Sequence, residues 1–367
     1  MKKKLLLAAL AALATMALAG CSSGASTATD QDGTESVQKD VASLSLAYLN
    51  KAGYETVIVA DKQGYFEEAD PDIELLTVSG SGQQAVEALL AGSADIAATG
   101  QGPVADALGQ YDDIVVLCGT NCSTDTQVWV ASPSMTGEMA LVAYDKEKDN
   151  KAEVAASFEQ AATQLGGHVK LGVQQGATTE SAVKSWLTAM GVTYNEFGVE
   201  GDGVVSLVDV KANTLPTVLA NGADIDVMAA SQPYPDTALS NIQGSYRIGS
   251  NADTNSYDAS LFITTKEVYA EKEDSIKEFI GALKRATDYM ADDANVGKCV
   301  TICADAMGAS EDTVQAAFDT ADWNTTMSDR MIESIQKAAK KKGYDTTIED
   351  VRAACPLIDW LDNDLNK

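Results

Sequence analysis

The chain has 367 residues, of which 45% are hydrophobic and 22% are charged, and its formal net charge is -28. This length suits about two domains with sizeable cores, and the composition excludes a disordered or collagen-like chain. The acidic excess argues against nucleic acid as a partner, because each phosphate contact would form in a repulsive field. Since the chain has six cysteines and a single histidine, we expect neither a metal site nor a cofactor.

The first twenty residues are typical of an export signal. Three lysines precede an apolar run that extends from Leu5 to Ala19. This run is shorter than the roughly 20 apolar residues that span a bilayer, and it indicates a signal peptide over residues 1–20. The next residue, Cys21, completes a sequence that resembles the bacterial lipobox, Leu18-Ala19-Gly20-Cys21. We therefore expect lipid on Cys21 to hold the chain at a membrane; an ordinary signal peptide with a chance cysteine is the alternative.

Residues 21–43 are rich in Ser, Thr, Gly, Asp and Gln and are predicted to form a flexible tether. A folded pattern begins at Leu44, with apolar residues alternating up to Tyr48, and a second strand is predicted over 73–78. Helical spacing follows over 86–90 and a short strand over 95–98. Strand, helix and strand in this order imply a right-handed crossover between parallel strands.

A similar block recurs further along the chain. A strand is predicted over 169–173, a helix over 183–190 and another strand over 204–210. The segment Leu219–Ile225 matches Leu90–Ile96 at five of seven positions. The repeated pattern predicts two similar α/β lobes.

The rest of the chain is predicted to return to the first lobe. A strand is expected over 259–264, and helices are expected over 275–290, 296–307, 312–318 and 328–342. The first lobe would comprise residues 44–131 and 260–367, and the second lobe residues 132–259. Two connections, near residues 129–134 and 250–261, would form a hinge beside a cleft.

Several short motifs resemble the solute-binding proteins of ABC importers for sulfonates, taurine, nitrate and thiamine-pyrimidine precursors. They are Tyr48-Leu49-Asn50, Ala60-Asp61-Lys62-Gln63-Gly64-Tyr65-Phe66, Val78-Ser79-Gly80-Ser81-Gly82, Ala88–Ile96 and Gly100-Gln101-Gly102-Pro103, then Gly176-Ala177-Thr178-Thr179-Glu180-Ser181, Ala223-Asp224-Ile225 and Gln232-Pro233-Tyr234. The resemblance covers residues 44–284. It implies an α/β two-lobed type II periplasmic-binding-protein fold with a helical C-terminal tail on the first lobe. It also implies a small molecule held between the lobes and delivered, without chemistry, to an ABC permease.

Two features depart from this family pattern. The family often has Trp-Glu-Pro-Tyr where this chain has Ser231-Gln232-Pro233-Tyr234, so an amide replaces an acid. The segment from 143 to 167 is also longer and more polar than the pattern predicts. Both departures affect the identity of the ligand more than the fold.

Ligands of open α/β sheets bind beyond the carboxyl ends of the strands. Four loops meet this condition, over residues 48–50, 79–83, 99–101 and 176–180, and the resemblance adds the Gln232-Pro233-Tyr234 motif. The candidate ligand-binding residues are Tyr48, Asn50, Ser81, Gly82, Gln83, Gln101, Gly176, Ala177, Thr178, Thr179, Glu180, Gln232 and Tyr234. Two of these loops lead into helices, whose free N–H groups attract anions. Alternatives stay open: Ser81 or Thr178 caps its own helix, Tyr48 and Tyr234 pack in the cores, and Glu180 stabilises a helix dipole instead of binding a ligand amine.

The predicted cleft loops contain no arginine, and Lys51 is the nearby cation. A dianion would therefore depend on helix dipoles alone, and a monoanion, a zwitterion or a neutral polar ring fits better. Gln101 and Gln232 offer both donor and acceptor groups to such a ligand.

Export permits disulfides, and five cysteines lie beyond Cys21. A local bridge from Cys118 to Cys122 in a loop, a bridge from Cys299 or Cys303 to Cys355, and no bridge at all are the open alternatives. His168 precedes a strand outside the cleft loops, and we expect it to face solvent.

The leading hypothesis is a monomeric, lipid-anchored, extracytoplasmic solute-binding protein that serves an ABC permease. A ligand sensor for a membrane receptor is one alternative. An enzyme similar to thiamine-pyrimidine synthases is another, although such an enzyme uses a cleft histidine and His168 is poorly placed for that role.

Overall fold

The structure is a computed structural model that describes residues 42–254 and 256–366. The expected signal peptide, the lipidation site Cys21 and the tether as far as residue 41 lie outside the described residues. Among the described helices, none has the length and apolar character needed to cross a membrane.

The strands fall into two six-stranded sheets of mixed direction. In chain order they are β1 (Leu44–Tyr48), β2 (Ile73–Thr77), β3 (Ile96–Gly100), β4 (Ile114–Ser123), β5 (Gln127–Ala131), β6 (Val169–Val173), β7 (Tyr194–Asn195), β8 (Val205–Asp209), β9 (Val227–Ser231), β10 (Tyr246–Ser250), β11 (Asp258–Thr265) and β12 (Ala321–Thr326). The first sheet has the order β12-β4-β11-β3-β1-β2, and the second has the order β10-β5-β9-β6-β8-β7.

Helices cover these sheets. They are α1 (Glu55–Lys62), α2 (Gly82–Leu90), α3 (Gln101–Gln110), α4 (Lys151–Leu165), α5 (Thr178–Met190), α6 (Leu215–Asn221), α7 (Tyr234–Asn241), α8 (Lys266–Ala291), α9 (Val296–Met307), α10 (Glu311–Thr320), α11 (Asp329–Lys341), α12 (Ile348–Ala353) and α13 (Ile358–Trp360). The predicted helices of the C-terminal tail are confirmed as parts of α8 to α11, and their apolar side chains join the core of the first sheet.

Both predicted βαβ units are present. Strand β1 pairs in parallel with β2 and β3, and strand β6 pairs in parallel with β8 and β9. The carboxyl ends of β1, β3 and β6 therefore precede the loops that were expected to form the cleft. Each sheet and its helices form one lobe.

The chain crosses between the lobes at residues 124–126 and 251–257. The first crossing lies earlier than the expected 129–134, because Trp129 belongs to β5 and pairs with Ala229 of the second sheet. The alternating sequence of β5 buries Trp129 in the second core, and this strand was missed in the sequence. The second lobe thus begins near Gln127, and the first resumes at Asp258.

The long polar segment before β6 contains α4. Its Phe158 packs edge-on against Trp186 of α5, with ring centroids 6.2 Å apart. The segment therefore adds a helix to the second core. His168, just after it, is half-buried, and its Nδ1 lies 2.6 Å from the carbonyl oxygen of Gly203, so it is less exposed than expected.

The five described cysteines are free and buried. Cys118 and Cys122 lie within β4 and not in the predicted loop, so the alternative of a local bridge between them does not hold. Four residues of extended strand span about 13 Å, whereas a disulfide joins Cα atoms less than about 7 Å apart. Cys299 and Cys303 lie in α9 as predicted, and neither pairs with Cys355.

Candidate functional site

The first lobe brings the start of α2 next to the end of β3. Ser81 caps α2: its Oγ accepts the N–H of Gln83 at 3.3 Å, and its own N–H donates to Gln84 Oε1 at 2.9 Å. A Cβ on Gly82 would lie 2.3 Å from Thr99 Oγ1. A glycine is therefore required where α2 meets β3.

Thr99 carries a polar atom that is oriented into this region. Its side chain is 1% exposed, and its Oγ1 has no hydrogen-bond partner within the described chain. Burying a hydroxyl without a partner costs free energy. Such a group is a candidate for contact with a ligand, and nothing in the sequence distinguished Thr99 from other strand-end threonines.

The second lobe contributes the start of α5. Ala177 occupies the N-cap position, and no side chain caps the helix. The hydroxyl of Thr178 instead accepts the N–H of Gly102 in the first lobe at 3.3 Å, and that of Thr179 lies 3.1 Å from Ser231 Oγ. The capping alternative therefore holds for Ser81 and does not hold for Thr178.

Gln174 connects the two lobes and was not among the predicted site residues. Its Nε2 donates to Ser81 Oγ and to Gln84 Oε1, both at 3.0 Å, and its Oε1 accepts the N–H of Ala212 at 3.0 Å. Its position directly after β6, at the carboxyl edge of the sheet, is the signal that would have indicated it.

A small cavity of about 20 Å³ lies between these elements. Its lining includes Ser81, Gly82, Thr99, Ala177, Thr178, Thr179, Ser231 and Ser260, together with Lys51 and Asp258. Five of the predicted binding residues are thus gathered at one place: Ser81, Gly82, Ala177, Thr178 and Thr179. The first turns of α2 and α5 both border this cavity, which places two positive helix ends beside it.

The charged side chains of the lining are Lys51 and Asp258, which are 7% and 9% exposed. Burial lowers the pKa of Lys51, and the nearby Asp258 carboxylate opposes this effect. Burial also raises the pKa of Asp258 to about 6, against the opposing effect of Lys51. Asp258 was not predicted, because it lies 207 residues after Lys51 in the sequence and only sheet pairing brings β11 to the cleft.

A second buried acid lies behind this pair. Glu55, the first residue of α1, accepts the N–H of Gly53 at 2.8 Å. Burial raises its pKa to about 7, and its hydrogen bonds with backbone N–H groups oppose the rise. The base of the cleft therefore contains one cation and two acids whose protonation changes near neutral pH.

Three other predicted residues, Gln101, Gln232 and Glu180, use their polar side-chain atoms in contacts within the protein. Gln101 Nε2 donates to the carbonyl of Tyr257 at 2.5 Å, and its Oε1 accepts the N–H of Ala259 at 3.0 Å, so both polar groups hold the hinge. Gln232 Oε1 accepts the N–H of Asp236 at 3.1 Å. Glu180 accepts the N–H of Gly176 and pairs with Lys184, each at 2.6 Å.

Three further predicted residues differ in exposure. Asn50 is exposed, Tyr48 is buried in the first core, and Tyr234 is partly buried against a small apolar cluster of the second lobe.

Gln83 reaches the second lobe, where its Cγ would lie 3.7 Å from a Cβ on Gly176. Its Oε1 is buried and has no partner within the described residues.

Two sheets joined by two crossings, with helix N-termini facing a cavity between them, define the two-lobed periplasmic-binding-protein fold, and the fold expected from the sequence is confirmed. The chain belongs to the NMT1-like family, whose model matches residues 37–304. No curated protein matches the sequence.

Solved structures share this fold at low identity. The alkanesulfonate-binding protein SsuA from Xanthomonas axonopodis pv. citri, bound to MOPS, is 13% identical with a TM-score of 0.63, over 85% of this chain and 97% of that one. The periplasmic nitrate-binding protein NrtA from Synechocystis PCC 6803 is 12% identical with a TM-score of 0.66, over 86% and 85%. The desulfurization enzyme DSZB is 14% identical with a TM-score of 0.59, over 89% and 99%. The fold is thus common to binding proteins and to an enzyme.

Proposed function

We propose that this chain is the solute-binding component of an ABC importer that captures a small sulfonate-like, taurine-like or pyrimidine-precursor-like molecule between its lobes. It acts outside the cytoplasm as a monomer, is held at the membrane by lipid on Cys21, and delivers its ligand to a permease. The names of the sulfonate-binding and nitrate-binding proteins that share the fold support this assignment. The export signal and lipobox in the sequence support the location.

One observation carries the proposal. The side chain of Lys51, the hydroxyl of Thr99 and the first turns of α2 and α5 border the same cavity between the lobes, and that hydroxyl has no hydrogen-bond partner among the described residues. Helix N-termini present N–H donors and a partial positive charge, and both favour an anionic group. When it is protonated, Lys51 adds a positive charge in a place where little water screens it.

The buried acids limit the charge of the ligand. Asp258 offsets Lys51, so the lining carries no net charge when both are ionised. Helix dipoles alone would have to neutralise a second negative charge on the ligand. The arrangement therefore favours a monoanion or a zwitterion, in which an anionic group faces the helix termini and an amine faces Asp258.

The size of the cavity indicates how a ligand enters. A volume of about 20 Å³ accommodates about one water molecule. A larger ligand requires the lobes to separate at residues 124–126 and 251–257, with loss of the contacts from Gln174 to Ser81 and from Gly102 to Thr178. The lobes then close again around the ligand, and the closed arrangement is presented to the permease.

We propose binding without turnover. The cavity lining supplies hydroxyl groups, backbone N–H groups and the Lys51–Asp258 pair. The described cysteines lie in the core of the first lobe. His168 contacts the carbonyl of Gly203 and lies at the amino end of β6, opposite the carboxyl end that precedes the cleft loop. Hydroxyl nucleophiles are commonly activated by a neighbouring histidine, and no histidine is among the residues that line this cavity.

A thermal-shift panel of taurine, ethanesulfonate, nitrate and an aminopyrimidine tests the proposal. A ligand at 100 times its Kd adds about 2.7 kcal/mol to the free energy of unfolding, which is a clear shift. Lys51→Met should lower the affinity of the best ligand at least tenfold. Lys62→Met removes the same charge from an exposed lysine of α1 and should leave the affinity unchanged. Equal effects of the two variants, or consumption of the ligand, would refute the proposal.

The membrane attachment has its own test. Cells expressing the wild-type chain should incorporate radiolabelled palmitate into the protein and retain it in the membrane fraction, whereas Cys21→Ser should abolish both. Cys299→Ser serves as the matched control, because Cys299 is buried in α9. Retention of label in Cys21→Ser would exclude lipidation at that residue.

A further inference from the structure

A second and larger cavity lies beside the cleft, between α11 of the first lobe and α5 of the second. Its volume is about 400 Å³, which is within the range of small-molecule sites. Arg330, Lys337 and Lys341 line it from α11, and Thr178, Ser181 and Ser185 line it from α5. Because both lobes contribute, the cavity is complete only when the lobes are together.

The cavity is cationic in a strongly acidic protein. Its lining holds three cations and one acid, Glu333, so its net charge is 3 − 1 = +2, against -28 for the whole chain. Glu333 pairs with Lys337 at 3.0 Å, but their side chains are 50% and 65% exposed, and exposed pairs of this kind contribute little. The positive charge is therefore available to a ligand.

The position of each cation is defined by a contact. The guanidinium of Arg330 lies 4.2 Å from the ring centroid of Tyr257 in the hinge, which is a cation–π contact. Lys341 Nζ donates to Ser185 Oγ across the two lobes. Desolvation and the neighbouring Lys337 charge lower the pKa of Lys341, although the residue is exposed overall. An anion placed here would relieve the repulsion between the two lysines.

The facing surface of α5 provides neutral hydrogen-bonding groups. Ser185 Oγ donates to the carbonyl of Ser181 at 2.5 Å and accepts from Lys341. The hydroxyl groups of Thr178 and Ser181, which line the same side, can donate to an anion that the cations of α11 face from the other side.

We propose that this α5–α11 cavity is a second binding site, adjacent to the cleft cavity and sharing Thr178 with its lining, for a small molecule that carries two or more negative charges on phosphate or carboxylate groups. The cleft, with Lys51 opposed by Asp258, suits a ligand of lower charge, so the two cavities take different molecules. An occupant of the α5–α11 cavity contacts both lobes and therefore stabilises their closed arrangement. This inference holds whichever ligand the cleft takes.

Isothermal titration of inorganic pyrophosphate into the full chain at low ionic strength tests the site. Lys337→Gln combined with Lys341→Gln should weaken binding at least tenfold, and Arg330→Gln should weaken it as well. Ser181→Ala combined with Ser185→Ala should weaken binding about fivefold through lost hydrogen bonds. The charge-matched control combines Lys340→Gln on the exposed side of α11 with Lys170→Gln on an exposed position of β6, and it should bind as the wild type does.

Three outcomes would overturn the inference. Equal weakening in the charge-matched control would show attraction by overall charge and no defined site. Loss of pyrophosphate binding in Lys51→Met, with binding retained in the Lys337/Lys341 variant, would place the anion in the cleft. A wild-type chain that does not bind pyrophosphate in the millimolar range would exclude the site.

Discussion

The side-chain amide of Gln174, in the second lobe, donates to Ser81 Oγ in the first lobe at 3.0 Å. Ser81 also caps α2, so the same hydroxyl group caps a helix and accepts a hydrogen bond from the opposite lobe. Gln174 accepts a hydrogen bond from Ala212 in its own lobe, which fixes the side chain in position. The relative position of the lobes is thus tied directly to the helix end that faces the candidate ligand.

We expect Gln174→Ala to shift the protein toward an open arrangement. The variant loses both hydrogen bonds to the first lobe, each of which contributes about 1 kcal/mol, so the radius of gyration measured by small-angle scattering should increase. Ligand affinity should fall, because part of the binding energy must then close the lobes. Gln175→Ala, at the exposed neighbouring position, should change neither quantity. An unchanged radius of gyration in Gln174→Ala would show that this contact does not hold the lobes.

Ser81→Ala and Thr178→Ala should have different effects. Loss of the Ser81 cap should lower the free energy of unfolding by about 1 kcal/mol. Thr178 caps no helix, and its substitution removes only the hydrogen bond that it accepts from Gly102. The free energy of unfolding should therefore fall by less than in Ser81→Ala, and ligand affinity should fall about tenfold. Each variant is the control for the other. Equal losses of stability would contradict the assignment of Thr178 to the interface between the lobes.

Gly82→Ala should destabilise the first lobe by about 1–3 kcal/mol through overpacking. The added Cβ would lie 2.3 Å from Thr99 Oγ1 and 3.1 Å from Thr99 Cα. Thr99→Ala should restore part of the loss, because it removes the first contact and retains the second. Gly281→Ala is the contrasting substitution: a Cβ there meets no atom within 4 Å, and the change inside α8 should stabilise the chain by about 0.5–1 kcal/mol. Denaturant unfolding measures all three effects, and stabilisation by Gly82→Ala would refute the packing argument.

Glu55 should make the fold less stable as pH rises. Its pKa is about 7 in the folded chain, compared with an ordinary value of 4.5. Between these pH values the folded chain keeps a proton that the unfolded chain has released. Its stabilising effect is complete below pH 4.5 and is lost as the pH approaches 7, with a total of about 3 kcal/mol.

Glu55→Gln removes this titration. The difference in unfolding free energy between the variant and the wild type should therefore increase by about 3 kcal/mol from pH 4 to pH 8, as measured by urea unfolding. Glu87→Gln, on an exposed position of α2, should give a constant difference over that range. A constant difference for Glu55→Gln would mean that its carboxyl group titrates normally.

The elements of the fold were largely predictable because their signals are local. The alternation of apolar residues in β1 and the helical spacing in α5 each lie within one short segment, and both predictions are confirmed. Strand β5 and the cysteine-containing part of β4 were not predicted. For β4 the reason is that the Gly119–Asn121 stretch between Cys118 and Cys122 is typical of a loop. Pairing with β11 on one side and β12 on the other keeps that stretch extended.

The candidate site was only partly predictable. Helix starts after glycine-rich loops indicated Ser81, Gly82 and Thr178, since such loops follow strand ends in any open α/β sheet. The partners of these residues were not indicated, because contacts between distant residues depend on the order of strands in the sheet.

By itself, the sequence determined that this protein has two α/β lobes and a set of polar helix starts at their strand ends, because hydrophobic periodicity and turn residues act over a few positions. Only the tertiary structure decided which of those polar groups meet. It placed Asp258 beside Lys51, and Gln174 against Ser81 from 93 residues away. It also placed Arg330, Lys337 and Lys341 of α11 opposite α5. The physical reason is that burial and charge pairing act through space, so sheet order and lobe contact set the chemistry of the cleft.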